Sequence, residues 1–143
     1  MKCFVMGELE IGQKASLKRL VREEDVLVFA GATGDTNPVH IDKHFAKTTR
    51  FKRRIAHGML SVCQIAAVLG RELPGAGSVY VSQTINFRKP VFIGDTITAE
   101  LEVIDKNIEK NKITLRTVCI NQDGEMVMEG EAVTMPAKEK VEC

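Results

Sequence analysis

The sequence predicts an α+β fold in which an antiparallel sheet curls around one buried helix. Two observations predict it. The first is a nearly unbroken apolar run over residues 59–69, which is typical of a helix that is covered on most sides. The second is the C-terminal half, where apolar and polar residues alternate in segments that turn signals separate. Helices on one face of an antiparallel sheet define the α+β class.

The N-terminal half predicts one strand and two helices before the buried one. Residues 14–21 alternate weakly and form the candidate first strand. Residues 22–25 place acids where a helix dipole favours them, and apolar residues then recur at helical spacing. Gly31 and Gly34 weaken and end that helix. Residues 42–47 have room for one or two helical turns.

The C-terminal half predicts four strands. Their ranges are 79–87, 97–103, Lys112–Ile120 and Met126–Met135. Residues 121–124 carry the Asp-Gly signature of a hairpin turn. Gly130 interrupts the last strand and is typical of a β-bulge. The charged tail from Pro136 onward is expected to fray.

Composition excludes several classes of function. A net charge of +1 over 143 residues argues against nucleic acid or an acidic membrane surface as the main partner. No apolar run reaches membrane-spanning length, and the N-terminus turns acidic too soon for a signal peptide. We expect a single cytoplasmic domain over residues 1–143, with its core at about 8–135 and a tail at 136–143.

Four cysteines stand far apart and form no C-x-x-C pair, which is typical of a reduced intracellular protein. They are Cys3, Cys63, Cys119 and Cys143. Cys63 lies within the apolar run, where a buried small hydrophobic residue is a better interpretation than a nucleophile.

All three histidines lie between residues 34 and 60. Asp35 precedes His40 by five residues, with an Asn-Pro turn between them. Because proline disfavours the α region for the residue before it, we expect no helix through residues 35–40. Such a loop can bring a carboxylate and an imidazole towards one point. His57 and Gly58 then mark the start of the apolar helix, where free backbone N–H groups suit chemistry at a carbonyl.

The residues alone leave other interpretations open. Asp35 and His40 each have a structural alternative, as a loop cap and as a structural histidine. Asn37 is expected to fix the loop through side-chain hydrogen bonds, and His57 to be structural at the helix start. Asp35, His40 and His44 also imitate a metal site of two histidines and one carboxylate. That site needs a helix through residues 40–44 and lacks another strong ligand, so we expect no metal.

Three motifs together resemble one family. They are D-T-N-P-V-H at residues 35–40, I-A-H-G-M-L at 55–60 and F-R-K-P-V at 87–91. The chain resembles the MaoC-like (R)-specific enoyl-CoA hydratases, and the resemblance extends over about residues 8–135. It implies the α+β hot-dog fold, a curved antiparallel β-sheet wrapped around a central buried α-helix. We also expect a homodimer or a dimer of dimers, because a single curled sheet leaves edge strands to cover. The resemblance implies the same.

The resemblance implies a role for several residues. Asp35 and His40 correspond to the catalytic pair that positions and deprotonates water, and the backbone N–H of Gly58 to the oxyanion donor. Residues expected to contact substrate are Asn37, His57, Met59 and Ala66. Ala66 stands where some members carry a serine, at the wall of the acyl pocket. Cations expected to meet the coenzyme A phosphates are Arg53, Arg54, Arg88 and Lys89.

The predicted reaction is the reversible hydration of trans-2-enoyl-CoA to (R)-3-hydroxyacyl-CoA, with short to medium acyl chains. The partner is an acyl-CoA thioester, and no metal or redox cofactor is required. One alternative is a hot-dog acyl-CoA thioesterase, which would use the same carbonyl site and release free thiol. Another is a non-catalytic acyl-CoA-binding module, against which the Asp35 and His40 pair argues.

Overall fold

A computed structural model describes residues 1–142, so Cys143 lies outside the described residues. Its helices are α1 (Glu23–Thr33), α2 (Pro38–Ile41), α3 (Lys43–Thr48) and α4 (Gly58–Arg71). Its strands are β1 (Lys14–Leu20), β2 (Val79–Gln83), β3 (Asn86–Phe87), β4 (Thr96–Asn107), β5 (Lys112–Ile120) and β6 (Met126–Met135). Among the described residues, no helix is long and apolar enough to cross a membrane.

The strands form one antiparallel sheet in the order β1-β4-β5-β6-β2, with β3 also paired to β6. Helix α4 packs mainly on β4 and also contacts β1, β2 and β5. The sheet therefore wraps around α4 from one edge strand to the other. This arrangement confirms the predicted α+β class.

The central strand and the main helix bury the faces that their sequence periods predict. In β4, every second side chain from Ile97 to Val103 is at most 1% exposed. In α4, the buried side chains follow helical spacing and face the sheet; they are Ser61, Val62, Ile65, Val68 and Leu69. The opposite face of α4 is open, and it carries Met59 and Cys63. The expectation of a buried Cys63 is therefore wrong for the single chain.

The predicted strand over residues 79–87 is two strands. The pairing of β2 with β6 shifts register between Tyr80 and Ser82, and Thr84 and Ile85 separate β2 from β3. A register shift rotates the following side chains, so the apolar residues do not share one buried face. Val79, Val81 and Phe87 are instead exposed on the described chain.

Gly130 marks a close approach of two backbones and not a bulge. It pairs in register with Thr117 on β5. On its other side, a Cβ atom at position 130 would lie 1.8 Å from the carbonyl oxygen of Thr84. Glycine is therefore required where the gap between β2 and β3 meets β6.

The C-terminal tail packs against the N-terminal segment, so the expectation that it frays is wrong over residues 136–140. Ala137 bridges to Val5, and the Nζ of Lys140 lies 2.9 Å from a carboxylate oxygen of Glu8. The hydrogen bond from Lys140 holds the pKa of Glu8 below its usual value. The two ends of the described chain therefore stabilise each other.

Alanine substitution at two glycines tests this account of the fold. Gly130→Ala should lower the free energy of unfolding by about 1–3 kcal/mol, because the backbone of Thr84 must move to admit a methyl group. Gly31 lies inside α1, where a Cβ atom would meet no atom of the described residues within 4 Å. Gly31→Ala should therefore raise stability by about 0.5–1 kcal/mol. Thermal unfolding at one protein concentration measures both, and equal effects would contradict the close approach.

Candidate functional site

The loop after α1 holds Asp35 from two sides. Gly34 ends α1 with a left-handed backbone at φ +77°, and the N–H of Asp35 then donates to the hydroxyl of Thr33 at 3.2 Å. The N–H of Asn37 donates to the Asp35 carboxylate at 3.2 Å. Asn37 in turn accepts from the N–H of Val39 and caps α2, as expected for a residue that fixes the loop. The half-exposed carboxylate is therefore oriented by its own loop.

His40 lies on the short helix α2, which begins only at Pro38, so the expectation that no helix runs through residues 35–40 is confirmed. Pro38 occupies the first helical position, where its missing N–H costs nothing, and Asn37 stays outside the α region. The buried His40 ring places its Nδ1 2.8 Å from the carbonyl oxygen of Ile55. Because a carbonyl only accepts, Nδ1 carries the hydrogen and Nε2 is free to take a proton.

Arg54 holds the backbone of His40 through a hydrogen bond. Its Nε donates to the His40 carbonyl at 2.7 Å, and its Nη1 donates to Glu23 at 2.7 Å. The Arg54 side chain is buried, whereas Glu23 is half exposed. The contact of Arg54 with coenzyme A stays a prediction, and part of its guanidinium is engaged by Glu23 and by the His40 carbonyl. Hydrogen bonding and attraction from Arg54, with Lys43 nearby, hold the pKa of Glu23 below its usual value.

His57 joins the other two groups. It is 2% exposed, and its Nε2 lies 2.9 Å from the Asp35 carbonyl oxygen and 4.0 Å from the Asp35 carboxylate. Its ring stacks on the His40 ring at 3.9 Å between centroids, and Phe29 lies 4.8 Å away. One side-chain polar atom from each of Asp35, His40 and His57 lies within 4.8 Å of the other two.

The geometry differs from the metal site that the sequence imitated. His44 lies on α3, exposed, and is not part of the cluster. Because Asp42 caps α3, the helix does not run from His40 to His44. In the cluster, Nδ1 of His40 and Nε2 of His57 are each engaged with a carbonyl oxygen. The arrangement suits holding a water molecule and transferring its proton.

Gly58 begins α4 directly after His57, which makes no side-chain capping bond. The first N–H groups of a helix have no partner within it, so the Gly58 N–H is available to an oxyanion. A Cβ atom at Gly58 would lie 2.8 Å from the ring of Phe87, so the glycine lets this ring lie against the start of α4. His40 and Gly58 line one cleft of about 360 Å³.

The cleft includes some of the predicted contacts and omits others. Met59, Arg88 and Lys89 line it, but the two cations are paired with exposed carboxylates, those of Glu129 and Glu125. Ala66 is partly buried two turns along α4 and is not among the lining residues.

Two residues of the basic run, Arg50 and Arg53, line different clefts. Arg53 stacks 3.7 Å above the ring of Phe92 and lines a different cleft, beside Lys43. Arg50 lines the cleft of His40 and Gly58, with its guanidinium 4.8 Å from the ring centre of Phe51. Arg50 belongs to the basic run at residues 50–54. Nothing in the sequence of that run indicates which of its members faces the cleft.

A known domain family and several known proteins match this chain over most of its length. Residues 7–124 match the MaoC-like domain. An (R)-specific enoyl-CoA hydratase from Rhodospirillum rubrum is 49% identical over 92% of this chain and 91% of that protein. A 3-hydroxybutyryl-CoA dehydratase from Methylorubrum extorquens is 46% identical over 99% and 90%.

A solved structure is similar over most of its length. The R-hydratase PhaJ1 from Pseudomonas aeruginosa, in its unliganded form, superposes with a TM-score of 0.92. It is 46% identical, and the match covers 96% of this chain and 88% of that one.

The pair formed by Glu23 and Arg54 should make stability depend on pH. A carboxylate whose pKa is lowered in the folded state stabilises the fold above its unfolded pKa, and that contribution is lost as the pH falls through the folded pKa. Glu23→Gln should therefore be less stable than the wild type at pH 7, and the difference should shrink below about pH 4.

Urea unfolding of both proteins at several pH values measures this difference. Glu109→Gln, at an exposed position in the turn between β4 and β5, is the control and should follow the wild type at each pH. A Glu23→Gln difference that stays constant with pH would contradict the ion pair as its cause.

Proposed function

This chain belongs to the MaoC-like domain family, and we infer from that membership that it is an (R)-specific enoyl-CoA hydratase, a lyase with the hot-dog fold that acts on an acyl-CoA thioester. We propose that Asp35 and His40 activate the water and that the N–H of Gly58 stabilises the enolate. The observation that carries the proposal is the placement of a free imidazole nitrogen and a free helix N–H in one cleft, beside a fixed carboxylate.

The reaction adds water across the double bond of the enoyl thioester. One water lies between the Asp35 carboxylate and the Nε2 of His40. One of the two groups removes a proton from it while the hydroxyl oxygen bonds to C3. The electron pair of the double bond forms a new double bond between C2 and the carbonyl carbon, and the carbonyl pair moves to the thioester oxygen. A positioned donor such as Gly58 N–H is typically worth ~3–4 kcal/mol there. The enolate then collapses as C2 takes a proton from the same pair, so protons balance and the reaction is reversible.

The acyl group and the carrier would extend from this centre in different directions. Met59 lies next to Gly58 in the cleft, so its side chain would bound the acyl chain. We propose a short acyl chain, which the 3-hydroxybutyryl relative supports. Arg50, Arg88 and Lys89 would meet the phosphates, since exposed ion pairs with glutamates contribute little and can be exchanged.

We propose that two copies pair through β2. This strand lies at one edge of the sheet, and its outward side chains Val79 and Val81 are exposed with Phe87 close by on β3. An exposed apolar edge strand is a template for pairing with another strand. Pairing there would also cover the open face of α4 that carries Met59 and Cys63.

Substitution of the acid–base pair tests the proposed reaction. Asp35→Asn and His40→Ala should each lower the hydration rate of crotonyl-CoA by about two to four powers of ten. If both groups hold one water, the double variant should be scarcely slower than either single one. Loss of enoyl absorbance measures hydration, and a thiol reagent in the same assay would detect hydrolysis instead.

Folding should be unaffected, because Asp35 and His40 lie on a loop and a four-residue helix outside the main core. A rate within a few-fold of the wild type in either single variant would overturn the mechanism. If the rate losses of the two single variants multiply in the double variant, both residues are needed for the reaction, but they do not share one water.

Oligomeric state tests the β2 interface. The wild type should sediment as a dimer or a dimer of dimers, and Val81→Lys should sediment as a smaller species because a charge cannot be buried unpaired in the interface. The control is Ile108→Lys, which places the same charge at a 73% exposed position in the turn after β4. An active monomer of wild-type chain, or equal behaviour of the two variants, would exclude this interface.

A further inference from the structure

We propose that His57 is a positioning residue, which holds Asp35, His40 and the oxyanion donor in mutual register. The proposal rests on the function proposed above and adds a residue that the acid–base steps do not use. It stands on three contacts of one side chain and its backbone: a hydrogen bond to the Asp35 carbonyl, a ring stack on His40, and the peptide bond to Gly58.

The polarity of His57 requires an explanation. Its side chain is 2% exposed, and its Nδ1 is buried with no hydrogen-bond partner among the described residues. An unpaired buried polar atom is destabilising, and a phenylalanine would fill similar space without one. His57 also precedes α4 without a side-chain capping bond. Neither burial nor capping therefore accounts for an imidazole here.

The hydrogen bond from Nε2 of His57 explains why an imidazole stands at this position. Because the Asp35 carbonyl oxygen only accepts, Nε2 of His57 carries the hydrogen and donates it over 2.9 Å. The other hydrogen bonds of Asp35 run to Thr33 and Asn37, two residues away on either side. His57 is 22 residues away in the chain, so its bond is the one that ties the Asp35 loop to the start of α4.

The stack restrains the second group. The hydrogen bond from Nδ1 to Ile55 fixes one edge of the His40 ring. That bond alone does not fix the rotation of the ring about it. The His57 ring lies against the face of the His40 ring at 3.9 Å and 28° between planes, which opposes that rotation. Phe29 supports His57 at 4.8 Å. The Nε2 of His40 is therefore aimed by contacts from two directions.

The position of His57 in the chain connects these contacts to the third group. The side chain of His57 contacts Asp35 and His40, and its backbone carries the peptide bond to the N–H of Gly58. One residue is therefore joined to the proposed acid–base pair and to the proposed oxyanion donor. The acid–base pair acts at C2 and C3 of the substrate and the N–H acts at the thioester oxygen. A displacement of about 1 Å between two such groups typically costs about a hundredfold in rate.

Two variants separate the two side-chain contacts. His57→Phe keeps a ring between Phe29 and His40 and removes the donor to Asp35. His57→Gln can keep an N–H donor and removes the stack. With crotonyl-CoA we expect His57→Phe to lower kcat by about 10- to 100-fold with KM within about threefold, and His57→Gln to recover part of the loss. The control His44→Phe, at an exposed histidine on α3, should keep the wild-type kcat.

A second background identifies the residue through which His57 acts. In Asp35→Asn, the residual rate no longer depends on an oriented carboxylate, so adding His57→Phe should change it less than about threefold. Equal losses in the two backgrounds would overturn the proposal, and so would a wild-type kcat in His57→Phe. If His57→Phe does not fold, His57→Gln, which loses the stack, is compared in the wild type and in His40→Ala; a loss of kcat in the wild-type background that stays equal in His40→Ala would overturn the proposal. Absence of hydratase activity in the wild type would instead overturn the proposed function.

Discussion

The packing of α4 on the sheet is the contact on which the rest of the structure depends. Its buried face, Val62, Ile65, Val68 and Leu69, lies on the fully buried side chains of β4. That contact fixes the axis of α4 and hence the place where its first N–H groups emerge. The proposed site is arranged around that helix start: Gly58 is its first residue, and His57 immediately before it contacts Asp35 and His40.

The sequence predicts the elements whose period is strong. The bounds of β5 and β6 are confirmed because their turn residues and alternation agree, and the start of α4 is confirmed because a glycine and a polar residue precede the apolar run. The meeting of Asp35 and His40 is also confirmed, since a short loop permits few arrangements of two groups five residues apart. Local chemistry decides each of these features.

Contacts between distant segments were beyond sequence reasoning. Arg54 and Glu23 are 31 residues apart, and nothing in the basic run distinguishes the buried arginine from its exposed neighbours. The break between β2 and β3 depends on a backbone approach to Gly130, which the alternation of residues 79–87 conceals. The exposure of Cys63 depends on which face of an almost wholly apolar helix meets the sheet. Each of these is decided by tertiary packing, which overrides local pattern.

The restraint of the His40 ring has a thermodynamic consequence. Its carbonyl, its Nδ1 and one ring face are all held by the protein before any substrate arrives. The loss of rotamer freedom of this side chain therefore belongs to the free energy of folding and is absent from the free energy of substrate binding. In the proposed mechanism, affinity for the thioester would then depend on the open cleft and its cations, and the chemical step would not first have to order the His40 ring.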